Sequence, residues 1–350
     1  MPTEAVRWLE SLSPWPKEFG LDRIHALLAA LGDPQRVLRA VHVVGTNGKS
    51  TATRTVEALL AAEGLHVGAY LSPHVRGWSE RIRIGGDEAD FDAAIARVEP
   101  EARRLHATQF EVLTAAALRA FADAAVDAAV VEAGLGGRHD ATYVLEAPVV
   151  LLTNVGLDHT EVLGSTREAI AREKLAVVAP GATAVLPDDE FAALLPNANV
   201  VLGGAREAAE AFLGRPVDAE VDVTLPGRLE EHRPGEIWDG AHNPEGLDWA
   251  LPRLPPGPYT VVASILGDKD APAMLDRLAR VAKRLIATGS QNPRALPAEK
   301  LAALARGRIE AVEAVPDPAA ALARAREDPP VLVTGSLYLL ADLFDERTDA

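Results

Sequence analysis

Hydrophobic positions along the chain follow two alternating periodicities. In residues 21–32, LDRIHALLAALG, apolar Ile24, Leu27, Leu28 and Leu31 recur at helical spacing, and Gly32 reads as the C-terminal cap. Residues 41–44 then read as a short buried strand, followed by a glycine-containing turn. Ser50 to Ala62 reads as a helix closed by Gly64, and Val67 to Leu71 as the next strand. This is a strand–helix–strand unit whose first turn lies at the carboxyl end of a strand, where open α/β sheets place ligands. The alternation continues, predicting a helix over 114–125, strands at 128–133 and 149–155 and a helix over 167–178. Short strands near 182–186 and 199–202 precede a helix over 205–213.

From Leu225 the character changes. LPGRLEEHRPGE is rich in Pro, Gly and charge and has no periodicity, so it marks a domain boundary. The expected division is a first domain over 1–226, a linker over 227–235 and a smaller α/β domain over 236–350. Strands at 237–239, 260–265, 285–288 and 331–334, separated by helices, build the second domain. The fold class is α/β, a parallel sheet flanked by helices followed by a smaller Rossmann-like domain.

Composition narrows the function. A formal net charge of −16 argues against broad attraction to nucleic acid or an anionic membrane, so an anionic substrate must be held by local positive groups. The absence of cysteine excludes disulfides, thiolate metal sites and a cysteine nucleophile. No uninterrupted apolar run is of membrane-spanning length, and MPTEAVRWLESLSP lacks the pattern of a signal peptide, so a cytoplasmic location is expected. Lysine occurs only at 17, 49, 174, 269, 283 and 300. Because arginine supplies the routine surface charge, a lysine inside a motif calls for an explanation.

Lys49 is such a residue, in HVVGTNGKSTATR (His42 to Arg54). A strand, a glycine turn, GK[ST] and a helix form a phosphate-binding context. Amides of Gly45, Thr46, Asn47, Gly48, Lys49, Ser50 and Thr51 would face phosphate oxygens, Lys49 would supply charge, and a hydroxyl at Ser50 or Thr51 would reach magnesium. The usual spacing puts its first glycine at Val43, so GTNGK is a tighter variant. Hard metal ligands are offered by Ser72 in LSPH, Glu132 in VVEAGLGG and His159 in GLDHTEVLG. Each also has a plain reading: a Ser-Pro turn, a partnered buried carboxylate, a helix cap or core histidine. Lys174, in AREKLAVV, reads from its surroundings as a snorkelling lysine or an ion pair with Glu173 or Asp158.

The ordered set GLDRIHALLAALGDPQ, HVVGTNGK, YLSPHVRGWSERIRI, TQFEVLTAAAL, VVEAGLGGRHDATYV, LTNVGLDHTEVLGSTREAIAREK, LPGRLE, WDGAHNPEG, ILGDKD, NPRALP and VTGSLYL resembles the folylpolyglutamate synthases and dihydrofolate synthases of the Mur ligase superfamily. The resemblance covers nearly the whole chain except about 180–224. It implies a P-loop-type ATP-binding Mur ligase domain followed by a glutamate-ligase domain. It implies ATP on Lys49 and its loop, and two magnesium ions on Ser72, Glu132, His159 and a carbamylated Lys174. Arg228 and Asp239 match nucleotide contacts, while His242 and Ser336 match positions associated with glutamate and closure. Phe110, Glu111 and the Ser72–Arg83 loop match the pterin side of the folate site. The implied reaction phosphorylates a pteroate or folate carboxylate and lets the amine of L-glutamate displace phosphate, in an enzyme that is usually monomeric.

Two departures accompany the resemblance. The family loop usually reads GTNGKGS, and here Ser50 and Thr51 replace its last two residues, as in Mur enzymes acting on cell-wall precursors. Between Lys174 and Asp239 the chain is also shorter than the family pattern, lacking a glutamine-and-asparagine segment that contacts the nucleotide. Rival readings are a cell-wall amino-acid ligase, a degenerate non-catalytic folate- or nucleotide-binding homologue, and a generic P-loop NTPase.

Overall fold

The computed structural model describes residues 2–14 and 20–345, so Lys17 lies outside the described residues. It falls into two compact units, Met1–His74 with Trp78–Val223, and Val75–Gly77 with Thr224–Ala350. Among the described residues no helix is long and apolar enough to cross a membrane.

Unit one is built on eight strands: β1 (Ala40–Val44), β2 (Val67–Tyr70), β3 (Ile82–Ile84), β4 (Asp87–Glu88), β5 (Ala128–Glu132), β6 (Val149–Leu152), β7 (Thr183–Leu186) and β8 (Asn199–Leu202). Their order is β4-β3-β2-β5-β1-β6-β7-β8, parallel from β2 to β8, with β3 and β4 antiparallel at one edge. Helices α1 (Glu4–Glu10), α2 (Asp22–Ala30), α3 (Lys49–Ala62), α4 (Phe91–Arg104), α5 (Gln109–Asp123), α6 (Thr160–Leu163), α7 (Arg167–Leu175) and α8 (Ala205–Leu213) complete the unit. Every residue of β1 is buried, as expected of a parallel strand covered on both faces. Val41 and Val43 pack with Val56, Leu59 and Leu60 of α3 and Phe212 of α8. Ala40 belongs to the other layer, with Tyr70, Val131 and Phe121.

α5 starts at Gln109, earlier than the Thr114 expected from its alanine run. Thr108 caps it: its N–H and hydroxyl both donate to Glu111 Oε2, at 2.7 and 2.8 Å. TQFE is a Thr-x-x-Glu cap signature that the apolar count passed over. The β3–β4 hairpin and α4 were also not predicted; α4 is capped by Asp90, whose side chain accepts from the Ala93 N–H. Beyond α8 the chain runs to 225 without regular structure. Arg206 of α8 holds this stretch through the carbonyls of Val217 and Ala219, and Glu210 accepts the Val217 N–H at 3.1 Å.

Unit two contains β9 (Glu230–Arg233), β10 (Glu236–Trp238), β11 (Tyr259–Ala263), β12 (Ala282–Ala287), β13 (Ala311–Ala314) and β14 (Val331–Thr334), with α9 (Pro244–Ala250), α10 (Ala271–Leu278), α11 (Ala298–Ala305), α12 (Pro318–Ala325) and α13 (Leu337–Asp345). Strand order is β13-β12-β11-β14-β10-β9, parallel except for β9. Residues 230–233, expected within a linker, are therefore the edge strand of a hairpin that turns at Pro234–Gly235. Charged residues hid it, because an edge strand exposes alternate side chains. His232, on its covered face, stacks on the fully buried Trp238 ring at 4.2 Å. β13, with no fully buried position, was missed for the same reason.

Glu236 is 4% exposed and lies under Trp238. Its carboxylate takes two hydrogen bonds from Arg326, at 2.7 and 2.8 Å, and one from the Trp238 indole at 2.9 Å. Burial alone would raise its pKa, but these donors overcome it and hold the pKa below the usual 4.5. Stability from this pair is present above pH 4.5 and is lost as pH falls through the depressed value. Arg326→Ala should cost about 1–3 kcal/mol at pH 7 by urea denaturation. The difference from wild type should shrink below pH 4.5, and a pH-independent difference would exclude the carboxylate as its source.

Candidate active site

The turn after β1 is held from β6. Thr153 N–H donates to Val44 O at 2.9 Å, and its hydroxyl to Asn47 O at 2.7 Å. Asn154 Oδ1 accepts the N–H groups of Thr46 and Asn47, at 3.3 and 2.8 Å. These two amides are occupied by a neighbouring loop, so the expected seven-residue cradle narrows. Gly45 fits because a Cβ there would lie 1.9 Å from Thr153 Oγ1. Gly48, at φ 77, opens α3 without a side-chain cap. Thr3, Asp90, Thr166, Asn243, Asp270 and Asp317 do cap their helices. The first turn of a helix has orphan N–H groups and a partial positive charge, and α3 leaves them facing the turn as an anion site.

Glu132 ends β5, level with Val43 of β1. At 1% exposed, it accepts the Ser50 hydroxyl at Oε1 and the Ser72 N–H at Oε2, each at 3.0 Å. Of the two hydroxyls left open by the sequence, Ser50 is buried beside Glu132 while Thr51 is exposed. Ser72 Oγ is reached by Arg81 Nη1 at 3.4 Å. Arg81 is 8% exposed and also donates to His74 Nδ1 at 2.9 Å. Burial, and then the Arg81 charge, push the His74 pKa down to about 3, leaving a neutral acceptor. His159 neither caps a helix with its side chain nor sits in the core. Its backbone is left-handed at φ 51, its ring is about one-third exposed, and Nε2 lies 4.0 Å from Asp158.

Lys174 does not snorkel. It is 3% exposed, and its Nζ donates to Gly45 O at 2.8 Å. Burial first, and the charge of Lys49 second, bring its pKa down to about 7. Lys49 itself curls back to Thr46 O at 3.2 Å. Two amines thus converge on one turn, one of them partly neutral near pH 7. A buried carboxylate and a hydroxyl beside this turn are hard oxygen donors of the kind magnesium takes. Among the described residues no group of three or more His, Cys, Asp or Glu is placed to hold a metal ion.

On the substrate side, Phe110 and Glu111 line a cavity of about 30 Å3 with Ile24, Thr108, Leu135 and Asp140. Glu111 also carries the cap and an ion pair with Arg23 at 2.7 Å. In unit two, Asp239 accepts the Leu229 N–H at 3.0 Å and the Ala241 N–H at 2.9 Å, and burial raises its pKa against the charge of Arg228. Arg228 Nη1 donates to Gly227 O at 3.2 Å, and His242 Nδ1 lies 2.9 Å from Gly240 O. Ser336 is 1% exposed and accepts the Tyr338 N–H at 3.1 Å.

Sequence reasoning did not single out Asn154, Arg81 or Asp140. Each acts through backbone or neighbouring side chains, which spacing does not reveal. Asn154 had a signal, the Thr-Asn following a buried strand at the sheet edge that carries the turn.

Comparison with known proteins gives the same architecture. Family models described as the Mur ligase middle domain and the Mur ligase glutamate ligase domain match residues 43–220 and 227–337. The folylpolyglutamate synthase of Lacticaseibacillus casei is 33% identical over 416 residues, with 96% of each chain covered. That alignment is longer than this 350-residue chain, so the relative carries residues with no counterpart here. The dihydrofolate synthase/folylpolyglutamate synthase of Mycobacterium tuberculosis is 33% identical over 391 residues, covering 84% of this chain and 80% of that one. E. coli FolC in complex with DHPP and ADP superposes with a TM-score of 0.86 at 28% identity, covering 98% and 96%. A bifunctional folylpolyglutamate synthase/dihydrofolate synthase with Mn, AMPPNP and L-glutamate bound gives 0.86 at 28%, covering 98% and 97%. With an anion-binding turn, a hard-donor set beside it and these matches across both units, the chain belongs to the Mur ligase family, among the folylpolyglutamate and dihydrofolate synthases.

Proposed function

We propose that this protein is an ATP-dependent ligase that joins L-glutamate to the carboxylate of dihydropteroate, or to the γ-carboxylate of a reduced folate, through an acyl phosphate. One observation carries the reading: at the carboxyl ends of the central strands the uncapped start of α3, Lys49, buried Glu132 and partly neutral Lys174 meet around a single turn. Relatives named for this activity, and neighbours solved with ADP or AMPPNP, support it. We place the enzyme in the cytoplasm.

In this reading the α3 amides and Lys49 hold the ATP phosphates and neutralise charge as the γ-phosphoryl group passes to the substrate carboxylate. Ser72, Glu132, His159 and Lys174 as its carbamate would hold two magnesium ions. Bound there, these would offset the repulsion between two anions. Ser50 fixes the Glu132 carboxylate, and Arg81 holds the Ser72 hydroxyl in place. Phe110 and Glu111 face the pteridine, while Arg228 and Asp239 serve the nucleotide and His242 and Ser336 the glutamate. The acyl phosphate is then attacked by the glutamate amine; the C–N bond forms, the C–O bond to phosphate breaks, and the amine proton is released. The short stretch after α8 does not remove any of these groups, which favours an active enzyme over a degenerate one.

Phosphate release should require L-glutamate together with either dihydropteroate or tetrahydrofolate. Lys49→Ala should lower it by a factor of about 100 or more. A folded protein that binds the pteridine but stays silent with both substrates would mean a binding homologue, and release without either would mean a nucleotidase. Asn154→Ala should raise the KM for ATP about tenfold by freeing the turn, with little change in the KM for pteroate. Equilibration with 13C-bicarbonate should give a carbamate carbonyl signal that is missing in Lys174→Gln; an identical spectrum in the variant would rule out modification of Lys174.

A further inference from the structure

β1 carries an unusual residue for its place. Its neighbours Val41, Val43 and Val44 are apolar and fully buried, yet His42 between them is equally buried, at 0% exposure. Packing alone would be served by another aliphatic side chain. His42 Nε2 lies 2.8 Å from Thr142 Oγ1, and Nδ1 has no hydrogen-bond partner among the described residues. Thr142 Oγ1 in turn donates to Asp140 Oδ1 at 2.5 Å. Since the Thr142 proton goes to the carboxylate, its lone pair must accept from His42, which sets the imidazole as the Nε2–H tautomer. An aliphatic residue would leave no orphan nitrogen, so the one bond His42 does make is its reason for being there.

Asp140 is where this chain ends and the substrate cavity begins. Its carboxylate also accepts the N–H of Leu135 at 2.7 Å and of Thr142 at 3.0 Å. Asp140 and Leu135 are both part of the cavity wall beside Phe110. Between them the turn passes so close to α7 that a Cβ on Gly137 would lie 2.6 Å from Glu173 O and 2.7 Å from Lys174 O. We propose that His42 is a positioning residue for the substrate side of the site: through Thr142 it fixes the Asp140 carboxylate and, with it, the 134–141 turn against which the pteridine binds. One strand thereby holds the phosphate turn at its end and the substrate wall from its middle. The pteridine part of this inference rests on the function proposed above; the hydrogen-bonded chain does not.

Two measurements separate them. Imidazole 15N spectra at pH 7 should contain a neutral, Nε2-protonated ring that is lost in His42→Gln and whose Nε2–H signal shifts in Thr142→Val. An Nδ1-protonated ring, or no response to Thr142→Val, would overturn the chain whatever the substrate is. Steady-state kinetics then test its purpose. His42→Leu and Thr142→Val should each raise the KM for dihydropteroate or folate about tenfold while the KM for ATP stays within about twofold. His42→Gln and Thr142→Ser, which retain a donor at each link, should recover most of the loss. Equal increases for both substrates, no increase, or no recovery in the conservative variants would assign His42 a packing role only. If wild type shows no pteridine-dependent turnover, the functional reading fails while the spectra still decide the chain.

Discussion

Pairing of β1 with β5 on one edge and β6 on the other governs the first unit. Because all three run parallel, their carboxyl ends fall level, and the side chains that follow them are delivered to one place. Val43 is opposite Glu132, and Val44 opposite Leu152. From this register come the Ser50–Glu132 bond, the grip of Thr153 and Asn154 on the turn, and the approach of Lys174 to Gly45. A slip of one residue in β1 would turn His42 toward α3 and Val43 toward α5, undoing both layers at once.

Electrostatics at that edge are locally opposite to those of the whole molecule. The chain carries −16, yet Lys49 and Lys174 are drawn to the carbonyls of Thr46 and Gly45 within one turn. Two amines so close, one of them buried, are mutually unfavourable until an anion or a change of state at Lys174 relieves them. The helix start, which has no side-chain cap, adds a partial positive charge. Long-range repulsion thus falls on any incoming anion, and short-range capture has to overcome it. Such a balance favours a polyanion that engages several donors together over a single carboxylate.

Much of this was legible in the sequence because strong signals coincide with buried elements. The apolar run before GTNGK and the regular return of strand and helix gave the parallel sheet, and scarcity of lysine drew attention to Lys49 and Lys174. What spacing could not show was which groups are already in use. Thr46 and Asn47 present amides in any glycine turn, but only coordinates reveal that Asn154 holds them. Lys174 reads as a surface residue on its own helix, and becomes a buried amine only through the turn after β1. His159 was open between cap and core; it stands at the N-cap position of α6 without a side-chain cap bond, and its ring is about one-third exposed. β9 and β13 were illegible for a simpler reason: edge strands keep their charged faces in water, so their patterns are weak. α4 was legible but passed over, since Phe91, Ile95, Val98 and Ala102 recur at helical spacing behind the Asp90 cap.

The close contact between Gly45 and Thr153 also bears on how this sequence can change. A methyl group at 45 would collide with the Thr153 side chain, and at φ +151 any side chain there is strained whatever room 153 gives. The Thr153 hydroxyl in turn holds Asn47 O, so shrinking 153 would loosen the turn. The two positions, each just past the end of a neighbouring strand and far apart in the chain, constrain one another: Gly45 is held by its own backbone as well as by Thr153, and Thr153 by the turn it grips.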